Sequence, residues 1–141
     1  MGTDYATSVE QVHRALGDRQ YWLARLAGSG ADEAHLERMD VASDGSIDVV
    51  TAQVLRSDRL PGVVSQFHRG DLAIRREEMW TPVRDSRSRA AVAGSIAGAP
   101  VSLTGNAVLM PSEAFSRLDL QATVEVRIPL VGRKLEKFIG N

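Results

Sequence analysis

The chain has 141 residues, 17 Lys and Arg against 18 Asp and Glu, a net charge of −1 and no cysteine. That length is enough for one domain, residues 1–141, with its own buried core. The charge balance gives no general attraction to nucleic acid or to an anionic membrane, and the missing cysteines exclude disulfides, thiol catalysis and thiolate metal sites.

Arginine outnumbers lysine fifteen to two. With acidic residues matching the positive charge, this reads as a coding bias rather than an RNA-binding signature. The N-terminus "MGTDYATSVEQ" lacks a basic start followed by an apolar run, so no signal peptide is expected. No stretch approaches the roughly 18 apolar residues of a spanning helix. The expectation is a soluble cytoplasmic protein without stable membrane insertion.

The first organised segment is helical. Ser8 with Gln11 makes a capping box; Val9, Val12 and Leu16 form an apolar stripe that Gly17 ends. Asp18 caps a second short helix, "DRQYWLARLAG", stopped by Gly28, Ser29 and Gly30. From about residue 33 the pattern turns to strands. "AHLERMDVAS" and "SIDVVTAQVLR" flank Asp44-Gly45, a strong hairpin signal. "SDRLPGVVSQFHRGD" interrupts the run, with Pro61 suited to the first turn of a short helix. Four more strands follow, divided by turn groups at Asp85-Ser86, Ala99-Pro100 and Pro111-Ser112.

The last strand alternates most clearly. Leu118, Leu120, Ala122, Val124, Val126 and Ile128 take one face, which should be dry, and Arg117, Asp119, Gln121, Thr123, Glu125 and Arg127 the wet one. After Pro129 the period changes: Val131, Leu135, Phe138 and Ile139 share one side of a closing amphipathic helix. The order is two helices, about six antiparallel strands and a helix suited to cover a curved sheet, an α+β arrangement.

The segments "TSVEQVHRALGDRQYWLARL", "LPG", "GDLAIRREEMWTP" and "VEVRIPLVGRKLEKFIG" resemble the START-related, birch-pollen-allergen-like helix-grip (SRPBCC) superfamily, within an uncharacterised bacterial branch. The resemblance spans roughly residues 5 to 140. It implies a seven-stranded antiparallel sheet gripping a C-terminal helix, with an apolar cavity between. It carries no catalytic signature. Family members open with a full strand, whereas only "TDYAT" is available here, so the first strand should be short. Members also continue their last helix beyond the equivalent of "FIG". The closing helix is therefore expected to be truncated, the sequence being a piece of a longer chain. A bare sheet face or half-length helix could otherwise be relieved by a homodimer.

Chemistry-bearing residues are sparse. His13, His35 and His68 have no ligand spacing, and surface or cavity-rim positions suit them better than a metal site. No phosphate loop and no Gly-x-Ser-x-Gly elbow is present, and no cofactor is expected. On one strand Leu72, Ile74, Arg76, Glu78 and Trp80 share a face. If the apolar members face a cavity, Arg76 and Glu78 enter with them and could orient a ligand's polar group; a bulge could equally turn both outward. Trp22, Phe67 and Trp80 suit a cavity wall or mouth, or ordinary core packing. With Ile74, Leu120, Val124 and Leu135 they complete the candidate ligand-binding set. The helix in "RLPGVVSQFH" could act as a gate. Ala91, Ala93, Gly94, Ser95, Ala97 and Gly98 permit curvature or leave room for a ligand, and "RDSRSR" reads as a solvated hairpin tip.

The leading expectation is binding of a small hydrophobic molecule such as a lipid, fatty acid or polyketide. A cyclase- or hydratase-type enzyme with Glu78 or His68 as acid or base, and a protein-interaction module, are the alternatives.

Overall fold

The computed structural model describes residues 1–59 and 70–126. The expected Pro61 helix, Phe67, His68, Leu135 and the closing helix lie outside the described residues.

Seven strands form one antiparallel sheet: β1 (Gly2–Tyr5), β2 (Glu33–Val41), β3 (Ile47–Leu55), β4 (Leu72–Trp80), β5 (Ser88–Ile96), β6 (Val101–Ser112) and β7 (Phe115–Val126). Their spatial order is β1-β7-β6-β5-β4-β3-β2. Strands β2 to β7 therefore run as a meander, and the short β1 adds beside β7 with Tyr5 opposite Ser116. Because β1 and β2 lie at opposite edges, the helices between them, α1 (Val9–Leu16) and α2 (Arg19–Ala27), carry the chain from one edge to the other.

Both helices begin as their sequences dictate. Ser8 Oγ accepts from the Gln11 amide at 3.2 Å while Gln11 Oε1 accepts from the Ser8 amide at 3.3 Å, closing the capping box. Asp18 Oδ1 accepts from the Gln20 amide at 2.8 Å. Gly17 and Gly28 end the helices without a left-handed cap, with φ of −89° and −88°. Gly17 donates its amide to the carbonyls of His13 and Arg14, closing the last turn of α1.

The helix pair packs one stripe onto the sheet. Val9, Leu16 and Trp22 are buried with Ile47, Val49, Trp80, Val92 and Leu109 in a single core. Trp22 ties the two helices, its Nε1–H donating to the Leu16 carbonyl at 2.7 Å. His13 Nε2 lies 3.0 Å from the Thr81 carbonyl, pinning α1 to the end of β4.

The dry face expected along all of β7 is dry only in part. Ser116 is buried and Leu118 and Leu120 are half-buried, but Ala122 is exposed and Val124 is 60% exposed. The core formed by the helices reaches one half of that face, and no described element covers the other half. Ile74, Ile96, Val101, Leu103 and Val124 line an open apolar depression of about 180 Å³ there.

The turns follow local chemistry. In Ser43-Asp44-Gly45 the Gly45 amide donates to the Ala42 carbonyl and Gly45 has φ +95°, a type I turn closed by a left-handed glycine. Asp85 and Ser86 both have positive φ (53° and 60°) between the paired Arg84 and Arg87, as a two-residue type I′ turn requires. The Pro111-Ser112 turn is displaced: β6 runs through both residues, Ser112 pairs with Phe115, and Glu113-Ala114 make the loop. Phe115 then takes φ +94°, a region that costs a side-chain-bearing residue about 1–2 kcal/mol, and it is 67% exposed. Phe115→Gly is expected to raise stability by about 1 kcal/mol in urea denaturation; a loss of stability would show that the exposed ring has packing value.

Candidate functional site

A cavity of about 370 Å³ opens between the helix pair and the sheet. Val12 and Leu16 of α1 and Tyr21 and Arg25 of α2 form one wall, and Val92, Ala107, Leu109, Leu118 and Leu120 the other. The sheet side is apolar because alternate residues of β5, β6 and β7 stand in register: Ala90 opposite Ala107, Ala107 opposite Leu120, Leu109 opposite Leu118. The small side chain of Ala107 leaves space that a larger one would fill.

Strand β4 brings polar groups into this wall. Its pairing with β3 and β5 is continuous from Ile74 to Trp80, with no bulge, so Arg76 and Glu78 stay on the face of Trp80. Glu78 is 5% exposed and Trp80 is 3% exposed. Arg76 Nε stands 3.5 Å from Glu78 Oε2, an ion pair too long and poorly aligned to be a hydrogen bond, and that nitrogen is buried without an acceptor among the described residues. The Trp80 indole nitrogen is buried without one as well.

Arg25, Arg76 and Glu78 also border a second depression of about 300 Å³ beside α2, lined by Trp22, Leu26, Thr51 and Gln53. The Arg25 guanidinium lies 5.0 Å over the Trp22 ring, a cation–π contact, and Tyr21 meets Trp22 edge-on at 5.5 Å. Burial raises the Tyr5 phenol above its ordinary range; Tyr21 and Glu78 add to the rise and Arg25 opposes it.

The sequence-predicted residues thus divide. Arg76, Glu78, Trp80 and Leu120 share the cavity. Trp22 is core and borders the second depression, whereas Ile74 and Val124 lie in the separate open patch. Tyr5, Tyr21 and Arg25 escaped the sequence reading. The four-residue spacing of Tyr21 and Arg25 on a helix was an available signal, but Tyr5 sits in a strand too short to show a pattern. Among the described residues no group of three or more His, Asp or Glu could hold a metal ion, and no helix is long and apolar enough to cross a membrane.

The opposite sheet face carries ion pairs. Arg38 places one Nη 2.7 Å from both Asp48 and Glu77. Interaction with the neighbouring Asp48 side chain raises the Glu77 carboxyl above its usual 4.5, with burial and the Asp48 charge adding to the rise and Arg38 and Arg75 opposing it. A raised folded-state pKa means the folded chain holds the extra proton. The stabilisation is present below the usual carboxylate value and is lost as pH rises through the raised one. The melting temperature of the native protein should fall relative to that of Glu77→Gln as pH is raised from about 4.5. Parallel melting curves across that range would contradict the raised Glu77 carboxyl.

The uncharacterized proteins Mb0491c of Mycobacterium bovis and Rv0481c of Mycobacterium tuberculosis are each 52% identical to this chain over 146 residues, covering 99% of it and 84% of their own lengths. The family model described as "Protein of unknown function (DUF2505)" matches residues 1–141. A sheet-and-helix-pair chain matched from end to end in this way belongs to the DUF2505 family.

Proposed function

We propose that this protein binds a small apolar or amphipathic molecule between its helix pair and its sheet, as a carrier or sensor of helix-grip type working in the cytoplasm. The observation that carries the reading is the apolar cavity of about 370 Å³, within the range of small-molecule sites. Its wall combines aliphatic side chains with a few convergent polar ones, the usual composition of such a site. The antiparallel meander and the helices that follow a short first strand are consistent with the SRPBCC resemblance.

The test is titration with an apolar fluorescent dye and competition by fatty acids. The native protein should bind stoichiometrically, and Leu120→Trp, which fills the cavity from a half-buried position, should weaken binding at least about tenfold. Undiminished binding by a folded Leu120→Trp variant would place the ligand elsewhere.

The buried Glu78 carboxylate favours a second reading, an acid–base enzyme of cyclase or hydratase type in the same cavity. Glu78→Gln separates the two: a carrier changes selectivity mildly, whereas an enzyme loses about 10²-fold or more in rate. The patch around Ile74 and Val124 favours an interaction surface, which would appear as a homodimer in sedimentation.

A further inference from the structure

We infer that the cavity takes a monoanionic amphiphile, its carboxylate-type head between Arg76 and Arg25 and its tail against Leu109, Leu118 and Leu120; this rests on the cavity reading above. Three charged side chains line the cavity, Arg25, Arg76 and Glu78. Two guanidiniums and one carboxylate give the lining side chains an excess of one positive charge. Glu78 contacts Arg76 on its Nε side without a hydrogen bond. A buried donor without an acceptor costs about 1–3 kcal/mol, and an acceptor supplied by a ligand removes that cost.

Geometry locates the head. Arg25, Arg76 and Glu78 border both the cavity and the depression beside α2, so an anionic group at that boundary meets two cations against one carboxylate while the tail stays on the aliphatic wall. Arg25 is exposed, anchored over Trp22 rather than in an ion pair among the described residues, and its guanidinium is available to a ligand. The planar fork of a guanidinium suits a carboxylate in a bidentate pair. Trp80 stands four residues further along β4, about 13 Å by strand rise, and takes no part in the head site. A lone cationic head beside Glu78 is the competing arrangement, disfavoured by the two arginines around it.

The experiment compares decanoate, decanol and decylamine by isothermal titration at neutral pH. Decanoate should bind at least about tenfold more tightly than the other two. Arg76→Met should remove that preference, weakening decanoate at least about tenfold more than decanol. Because Arg76→Met leaves Glu78 buried beside an apolar chain, Arg25→Met, at an exposed position, serves as the second variant and should weaken decanoate at least threefold. Equal binding of all three probes overturns the anionic head and leaves the cavity reading standing. A preference for decylamine assigns the head site to Glu78 and overturns it too. Binding of none of the three overturns both.

Discussion

Trp22→Ala is expected to cost about 3–5 kcal/mol, the range for deleting a buried aromatic. Trp22 is 2% exposed and lies between the helix pair and the sheet in the single core. Its removal opens a cavity and strips the Leu16 carbonyl of the indole N–H that satisfies it. It also leaves Arg25 without its aromatic platform and Tyr21 without its edge contact. Since a domain of this size holds only about 5–15 kcal/mol in all, the variant should be largely unfolded at modest urea concentrations. Trp22→Phe keeps most of the bulk and loses the hydrogen bond, and should fall between the two. A loss below about 1 kcal/mol for Trp22→Ala would mean that the helix pair is not held to the sheet as described.

Gly105→Ala is the second large effect. A methyl group there would meet the Gln121 carbonyl oxygen at 2.5 Å and the Cα and Cβ of Ala122 at 3.1 Å. The first two are backbone atoms of β7, which cannot swing aside as a flexible side-chain tip can, so β6 and β7 must part locally. Overpacking of this kind costs about 1–3 kcal/mol, and the rigidity of the obstacle puts this case at the upper end. Gly94→Ala is the internal control. Its new methyl would find neighbours no nearer than 3.5 Å, ordinary contact, and the expected cost is below about 1 kcal/mol. Equal effects at the two glycines in denaturant titrations would contradict the close approach of β7 to Gly105.

The features readable from sequence were those decided within a few residues. The capping box at Ser8, the Asp18 cap and the Asp44-Gly45 turn each depend on side chains reaching backbone two or three positions away, and each forms as expected. The seven-strand count followed from the resemblance, with β1 short as expected. What sequence could not supply was pairing across distance. That β1 joins β7 rather than a neighbour sends the helix pair across the sheet, and only that crossing decides which half of β7 is dry. The Pro111-Ser112 signal misplaced a turn because the β6–β7 register, not local turn preference, extends β6 to Ser112.

The site divides the same way. Arg76 and Glu78 could be put on one face from alternation alone, but the continuous β3–β4–β5 register was needed to exclude an outward bulge. Arg25 and Tyr5 enter the cavity from elements whose positions rest on that same topology. The Asp48–Arg38–Glu77 cluster joins residues up to 39 positions apart, and no local pattern announces it.

The measurement that tests the central claim most directly is native mass spectrometry of the gently purified protein, with extraction and identification of whatever it carries. The account predicts a stoichiometric small amphipathic adduct on the native chain, absent from a folded Leu120→Trp variant. An adduct-free protein that takes up no apolar probe on titration would contradict it, and would leave the cavity as space between two packed layers.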